Sequence, residues 1–219
     1  MVRGTEIFLI VVLLLPGCKP VVEYAEMNGL TQGTTYHIVV QTSPALDIAD
    51  LRVKVENLLS TVDNSLSIYN DSSVISLINS NISDKTDTLF REVFRASALV
   101  SEQCDGLFDI TVGPMVKAWG FGPDALRRFD ETKLDSLMAL VGMNKVRLEG
   151  DRIVKDDPDM YIDVNAIAQG YTVDLIIDLL AGEGIKECLV EVGGEVRTSG
   201  DKNGKGWHVG IDRPVDGNY

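Results

Sequence analysis

Apolar residues recur along this chain at two periods. Ile48, Leu51, Val55, Leu58, Leu59 and Val62 fall at helical spacing and predict an amphipathic helix over residues 47–62. Leu89, Phe90, Val93, Phe94, Ala96 and Val100 predict a second long helix, ending near Asp105-Gly106. Leu134, Leu137, Met138 and Val141 predict a third, stopped by Gly142. A fourth opens within a few residues of Asp163, with Gly170 in its first turns and an apolar face at Val173, Ile176, Ile177 and Leu180. Strand patterns cover residues 36–41, 160–163, 188–191, 195–199 and 207–211. Residues 145–148 and 152–155 flank Glu149-Gly150-Asp151 and predict a hairpin. The Gly-rich run 200–206 reads as another hairpin loop, between Thr198 and Trp207. Residues 67–79 are polar and turn-rich before a short apolar patch, with Ser72 and Ser73 able to cap a helix. No linker, internal repeat or low-complexity tract breaks the alternation of strands and helices.

Two segments carry more chemistry than packing requires. In YIDVNAIAQGYTVD, residues 161–174, an apolar run ends on Asp163 and a helix follows. A helix N-terminus offers unpaired N–H groups and partial positive charge to a phosphate. A carboxylate just ahead of it can bind a sugar hydroxyl, an amine or a metal. The same junction also describes an ordinary capped helix. In FDITVGPMVKAWGFGP, residues 108–123, three aromatics are interleaved with glycines and Asp109. Glycines admit close backbone approach, and aromatic faces can cover a planar ring. The structural alternative is an irregular loop that plugs its own core with Trp119 and Phe121.

Composition narrows the class without naming it. The 219 residues suffice for one large domain or two small ones. Hydrophobic residues at 45% and charged residues at 24% are ordinary for a globular catalytic or binding protein. The net charge of −13 argues against nucleic acid as a partner and against a broad basic membrane face. It leaves room for a locally positive pocket. At the N-terminus, Arg3, the apolar run 7–15 and Pro16-Gly17-Cys18 have the form of an export signal, too short to be a permanent span. Leu15-Pro16-Gly17-Cys18 resembles a bacterial lipoprotein processing box, although Pro16 is unusual there. The resemblance implies a signal peptide over residues 1–17 and diacylglycerol on Cys18. The protein would then be lipid-anchored in the bacterial cell envelope, facing the periplasm or exterior. A plain signal peptide with a coincidental cysteine is the alternative. Cys104 and Cys188 are expected as buried free thiols. His37 and His208 alternate with apolar residues on predicted strands and read as structural, and no Cys/His cluster has zinc spacing.

The two segments together resemble the ApbE family of FAD:protein FMN transferases. Three more pieces are similar to that family and stand in its order: Gln32-Gly33-Thr34-Thr35-Tyr36, SIYNDSSVISLIN at 67–79, and LVEVGGEVRTSG at 189–200. The likeness runs from about residue 25 to the last residue. It implies a flavin transferase domain over residues 18–219. The fold it implies is α+β, with mixed sheets packed against helices, and is not a Rossmann fold. Implied with it are FAD as substrate, Mg²⁺ as cofactor, and an acceptor flavoprotein whose Thr or Ser takes FMN while AMP leaves.

Carried over by matching motif, the resemblance assigns FAD contacts to Gln32, Tyr69, Leu107, Phe108, Asp109, Asp163 and Gln169. It assigns a metal contact to the backbone oxygen of Ala166 and leaves the catalytic residue unknown. Gln32 stands where the family often has Met, and Gln169 where Lys or Glu is common. Asn165 replaces a small residue. Each assignment has a structural alternative: Asp163 or Asp109 as a cap, Tyr69 as a seal on a core edge, Gln169 as a solvated helix residue. Members of the family continue for roughly a hundred residues further, with the Asp and Thr that complete the Mg²⁺ site. The sequence as written is therefore expected to be a C-terminally truncated domain, poorly stable and of little transferase activity. FAD pyrophosphatase activity, giving FMN and AMP, is one alternative, and a non-enzymatic FAD-binding lipoprotein is another.

Overall fold

A computed structural model describes residues 22–122 and 131–211. The proposed signal segment 1–17, Cys18 and Pro123 lie outside them. Strands β1 (Tyr24–Thr31), β2 (Thr34–Gln41), β5 (Cys188–Val192) and β6 (Glu195–Ser199) form one sheet in the order β1-β2-β5-β6. A separate hairpin pairs β3 (Val146–Glu149) with β4 (Arg152–Lys155). The helices are α1 (Ile48–Leu66), α2 (Val74–Asn79), α3 (Thr88–Gln103), α4 (Gly113–Ala118), α5 (Leu134–Met138) and α6 (Asn165–Gly182). Among the described residues every strand pair is antiparallel, so the fold there is α+β without the parallel crossovers of a Rossmann sheet.

Two apolar clusters divide the interior. The first packs the inner face of the sheet (Met27, Ile38, Val40, Val190, Val192) against Leu51, Val55 and Leu59 of α1 and Val173, Ile176 and Leu180 of α6. The second gathers Val62 and Leu66 of α1, Ile75 and Ile78 of α2, and Phe90, Val93 and Phe94 of α3 around Ile153, Met160 and Ile162. Each fully buried side chain of this size stabilises by about 1.5–3 kcal/mol. Helices α1 and α6 belong to both clusters. Helix α1 changes cluster between Leu59 and Val62, and α6 between Ala168 and Val173. The seam between the clusters lies where those two changes meet.

Three helices start on side-chain caps. Asp47 accepts from the N–H of Ala49 at 2.9 Å, Ser73 from Ser76 at 3.1 Å, and Asp87 from Phe90 at 2.8 Å. Helix α1 runs to Leu66, one turn beyond the expected 62, and α5 stops at Met138 instead of reaching 141. The hairpin β3–β4 and strands β5 and β6 form as expected.

Other expectations are corrected. Strand β1 escaped the periodicity because only Met27 is fully inside. Residues 160–163 are extended but join no sheet. Val112 and Tyr161 make an isolated bridge, Asp163 donates its N–H to the Ile110 carbonyl at 2.7 Å, and the side-chain amide of Asn79 satisfies both backbone groups of Ile162 at 2.8 Å each. Residues 207–211 form no strand, so 200–206 is not a hairpin loop, and His208 is not on a strand. Within 108–123 the chain forms α4, with Pro114 in its first turn. Trp119 and Phe121 are 62% and 68% exposed, so they do not plug a core. Gly113 is required by packing, since a Cβ there would meet the Tyr161 ring at 2.4 Å. Cys104 and Cys188 are free thiols. Burial pushes the Cys188 thiol up to about 11, which keeps it protonated and unreactive.

Candidate functional site

A cavity of about 390 Å³ opens at the seam, within the range of small-molecule sites. Four segments wall it. The β1–β2 turn contributes Gln32 and Gly33, the last turn of α1 contributes Val62, Asp63 and Leu66, the polar loop contributes Ser67 and Tyr69, and the start of α6 contributes Asn165, Ala168 and Gln169.

The β1–β2 turn has positive φ at both central residues, 48° at Gln32 and 72° at Gly33. That is the geometry that suits a two-residue hairpin. Gln32 is a poor residue for the left-handed region, at a cost of about 1–2 kcal/mol. Its position is fixed by its side chain: Nε2 donates to Thr172 Oγ1 at 2.6 Å, and that hydroxyl donates to the Ala168 carbonyl at 2.7 Å. The β5–β6 turn closes on the same end of the sheet. Gly193 and Gly194 both have positive φ, and the Gly193 N–H donates to the Thr35 carbonyl at 3.1 Å. A Cβ on Gly193 would lie 2.7 Å from the Gln169 amide nitrogen, so the missing side chain is what lets Gln169 lie against this turn.

The polar loop is held by its own side chains. Ser73 and Ser76 both donate to the Ser67 carbonyl, at 2.7 and 3.2 Å. Asn70 accepts from the Ser72 N–H at 3.1 Å and donates to Asp63 Oδ2 at 3.3 Å and Asn64 Oδ1 at 3.1 Å. The loop thereby presents Tyr69, 65% exposed, at the cavity. Tyr69 does not seal a core edge.

Helix α6 begins differently from α1, α2 and α3. Its N-cap is Val164, which supplies no side-chain cap. Asp163, one residue earlier, accepts only the Asn165 N–H, at 2.9 Å. The N–H groups of Ile167 and Ala168 both turn back to the Val164 carbonyl. The Asp163 side chain is buried, and that burial raises its carboxyl above the usual range, offset in part by the Asn165 N–H. Gly170 faces open space: a Cβ there would meet nothing within 4 Å. Packing therefore gives no reason for a glycine in this helix, where it costs about 1 kcal/mol relative to alanine.

The structure thus brings Gln32, Tyr69 and Gln169 to one cavity, with Asp163 and Ala166 on the helix start beside it. It does not bring Leu107, Phe108 and Asp109 there. Leu107 is 91% exposed and Phe108 packs on the second cluster. Asp109 lines a separate groove of about 600 Å³ and staples its own turn, accepting from the Thr111 N–H and hydroxyl and from the Met143 N–H. Asp63 and Leu66 were not singled out from sequence. Extending the α1 spacing through 59, 62 and 66 was the signal for Leu66, and Asp63 gave none.

The cavity offers an exposed aromatic face at Tyr69, the amides of Gln32 and Gln169, and the first turn of a helix whose N-cap residue supplies no side-chain bond. A magnesium site is a different matter. Among the described residues, no three His, Cys, Asp or Glu side chains stand together as a metal would need. The Ala166 carbonyl is one neutral oxygen, where Mg²⁺ takes six ligands.

The fold is α+β, with antiparallel sheets packed against helices. The structure of Flavin Transferase ApbE from Vibrio cholerae superposes with a TM-score of 0.83 at 32% identity, covering 88% of this chain and 65% of that one. The apo form of Pseudomonas stutzeri flavinyl transferase ApbE gives a TM-score of 0.81 at 31% identity, covering 87% and 66%. The ApbE family model matches residues 32–218, and the chain belongs to the ApbE family. Among curated relatives, the FAD:protein FMN transferase of Vibrio cholerae is 34% identical over 97% of this chain and 66% of its own length. That of Escherichia coli K12 is 30% identical over 89% and 58%. The chain spans about two thirds or less of the length of these relatives.

Proposed function

We propose that this protein binds FAD and transfers its FMN half to a Thr or Ser hydroxyl of an acceptor flavoprotein. The hydroxyl oxygen forms a bond to the FMN phosphorus, the bond to the AMP phosphate breaks, AMP leaves and the hydroxyl proton is released. One observation carries this reading: the QGTTY turn, the SIYNDSS loop and the start of α6 converge on a single cavity, with the GG turn of β5–β6 packed against Gln169. Phosphoryl transfer depends chiefly on positioning and charge neutralisation. Here the uncapped start of α6 would receive the phosphates. Gln32 and Gln169 would hydrogen-bond a ring or ribityl group, and Tyr69 would stack on a ring. Asp163 fixes the turn into α6, and its buried carboxyl would meet a ligand hydroxyl or amine.

Magnesium belongs to the same proposal as the ion that would offset charge on the pyrophosphate. The protein oxygen offered to it is the Ala166 carbonyl. Leu107, Phe108 and Asp109 are proposed to contact FAD only where a ligand extends beyond the cavity. The chain is further proposed to be lipid-anchored through Cys18 in the bacterial envelope, on the strength of Arg3 and the apolar run 7–15. Cys18→Ser should move the protein from the membrane to the soluble fraction, and an unmoved protein would sink that proposal.

The test is an FAD titration of the purified chain with Mg²⁺, read by flavin fluorescence, with AMP and acceptor-bound flavin assayed together. Saturable FAD binding is the expected result, and flavin that stays on the acceptor after denaturation would mark the transfer step. AMP release without bound flavin would favour pyrophosphatase activity. An absence of binding would overturn the reading.

A further inference from the structure

Asp63 has no role in the reading above, yet it occupies the place where two hollows meet. The main cavity and a second groove of about 290 Å³ share Gln32 and Asp63 in their walls, and the second groove adds Glu56. Among the described residues, Asp63 is the one carboxylate lining the main cavity. A dianionic pyrophosphate is repelled from such a wall and drawn to the α6 start, which carries partial positive charge. The end of the ligand that enters beside Asp63 is therefore an uncharged one with a hydrogen to donate, since a carboxylate only accepts.

The neighbouring groups choose between the two ends of a flavin dinucleotide. Gln32 and Gln169 line the same cavity, and each carries an amide able to donate. Together with Asp63 they offer donors and one strong acceptor. The imide edge of an isoalloxazine needs that set: two carbonyls that accept and one N–H between them that donates. Tyr69 supplies a face for the ring. Adenine offers no such carbonyl–N–H–carbonyl edge.

We infer that Asp63 is the specificity-determining residue of the cavity, accepting the imide N–H of the flavin ring and so fixing which end of the dinucleotide lies there. This rests on the FAD reading above. Removing a hydrogen bond to a charged group costs about tenfold or more in affinity.

The probes are riboflavin, riboflavin methylated on the imide nitrogen, and adenosine, each titrated against the wild-type chain and Asp63→Ala. The wild type should bind riboflavin about tenfold or more tightly than its methylated form. Asp63→Ala should bind the two alike and leave adenosine binding unchanged. Glu56→Gln removes the carboxylate of the second groove, which does not line the main cavity, and keeps Asp63, so its discrimination should match wild type. Wild type that binds both flavins equally would overturn the inference. So would Asp63→Ala affecting adenosine alone, or Glu56→Gln abolishing discrimination as fully as Asp63→Ala. In each of these cases FAD binding by the wild type leaves the function standing. A wild-type chain that binds no FAD overturns both.

Discussion

Gly170→Ala separates a residue kept for the fold from one kept for a ligand. The position is the sixth of the eighteen in α6 and has ordinary helical backbone, since it is absent from the positive-φ glycines. Alanine in a helix interior is favoured over glycine by about 0.8–1.0 kcal/mol. No atom lies within 4 Å of the new methyl, so no clash offsets that gain. For a chain of this size, 1 kcal/mol moves Tm by about 2–4 °C. The variant should therefore melt about 2–4 °C higher than wild type in the absence of ligand. FAD should bind about tenfold more weakly, because the methyl fills open space one residue beyond Gln169, which lines the cavity; tenfold is 1.4 kcal/mol. Thermal denaturation and fluorescence titration of the same preparations give both numbers. A lower Tm would mean that the helix is crowded there. A higher Tm with unchanged FAD affinity would mean that the open space at Gly170 is not the ligand's.

Three further outcomes follow from the same geometry. Asp163→Asn keeps an acceptor for the Asn165 N–H and removes a buried charge. Because burial raises the folded-state value of Asp163, its contribution is fully present below the unfolded value near 3.8 and is lost as pH rises through the folded value. Asp163→Asn should therefore be the more stable protein at neutral pH, with the gap in Tm closing toward pH 4 at a slope of at most about 1.4 kcal/mol per pH unit; a gap independent of pH would contradict the burial argument. Tyr69→Ala should bind FAD with less quenching of flavin fluorescence and an unchanged Tm, since the ring is largely exposed; undiminished quenching would place the flavin elsewhere. Asn79→Ala orphans both backbone groups of buried Ile162, each worth about 1–3 kcal/mol, and should lower stability by at least about 2 kcal/mol by urea denaturation.

What the sequence made legible were the elements with a strong period and a single environment. Helices α1 and α3 have one face in the core and one in water, so their spacing reads directly. Strands β5 and β6 and the β3–β4 hairpin are bounded by turn residues. The failures share a cause: their partners are not in the local pattern. Residues 160–163 look like a strand because Met160 and Ile162 are buried, yet the group that pairs Ile162 is the Asn79 side chain, 83 residues away. Strand β1 is held by pairing with β2 and shows one buried side chain where alternation was sought. At the site, motifs pointed to Gln32, Tyr69, Asp163 and Gln169, but they could not separate these from Leu107, Phe108 and Asp109. That separation depends on which groove each side chain faces. Asp63 stayed hidden because, at the end of an amphipathic helix, a single carboxylate reads as a solvated residue.

Irregularities that gather at one place argue for function. Of the three long helices, α1 and α3 start on a side-chain cap while α6 starts on Val164 without one, as do the short α4 and α5 on their own N-caps. Gln32 takes left-handed backbone at the cavity wall. Asp163 sits buried with one hydrogen bond, and Gly170 interrupts a helix with no packing reason. Each lowers stability by about a kilocalorie or more, on the grounds given for caps, left-handed residues and helix glycines. All four lie at the β1–β2 turn or the first two turns of α6, at the seam where α1 and α6 pass from one core cluster to the other. A ligand that brings phosphate to the start of α6 and hydrogen-bonds Asp163 and Gln32 would answer these irregularities together. Gly170→Ala and Asp163→Asn should then raise stability together and lower FAD affinity together, which is the coupling expected of a binding site and not of a folding defect.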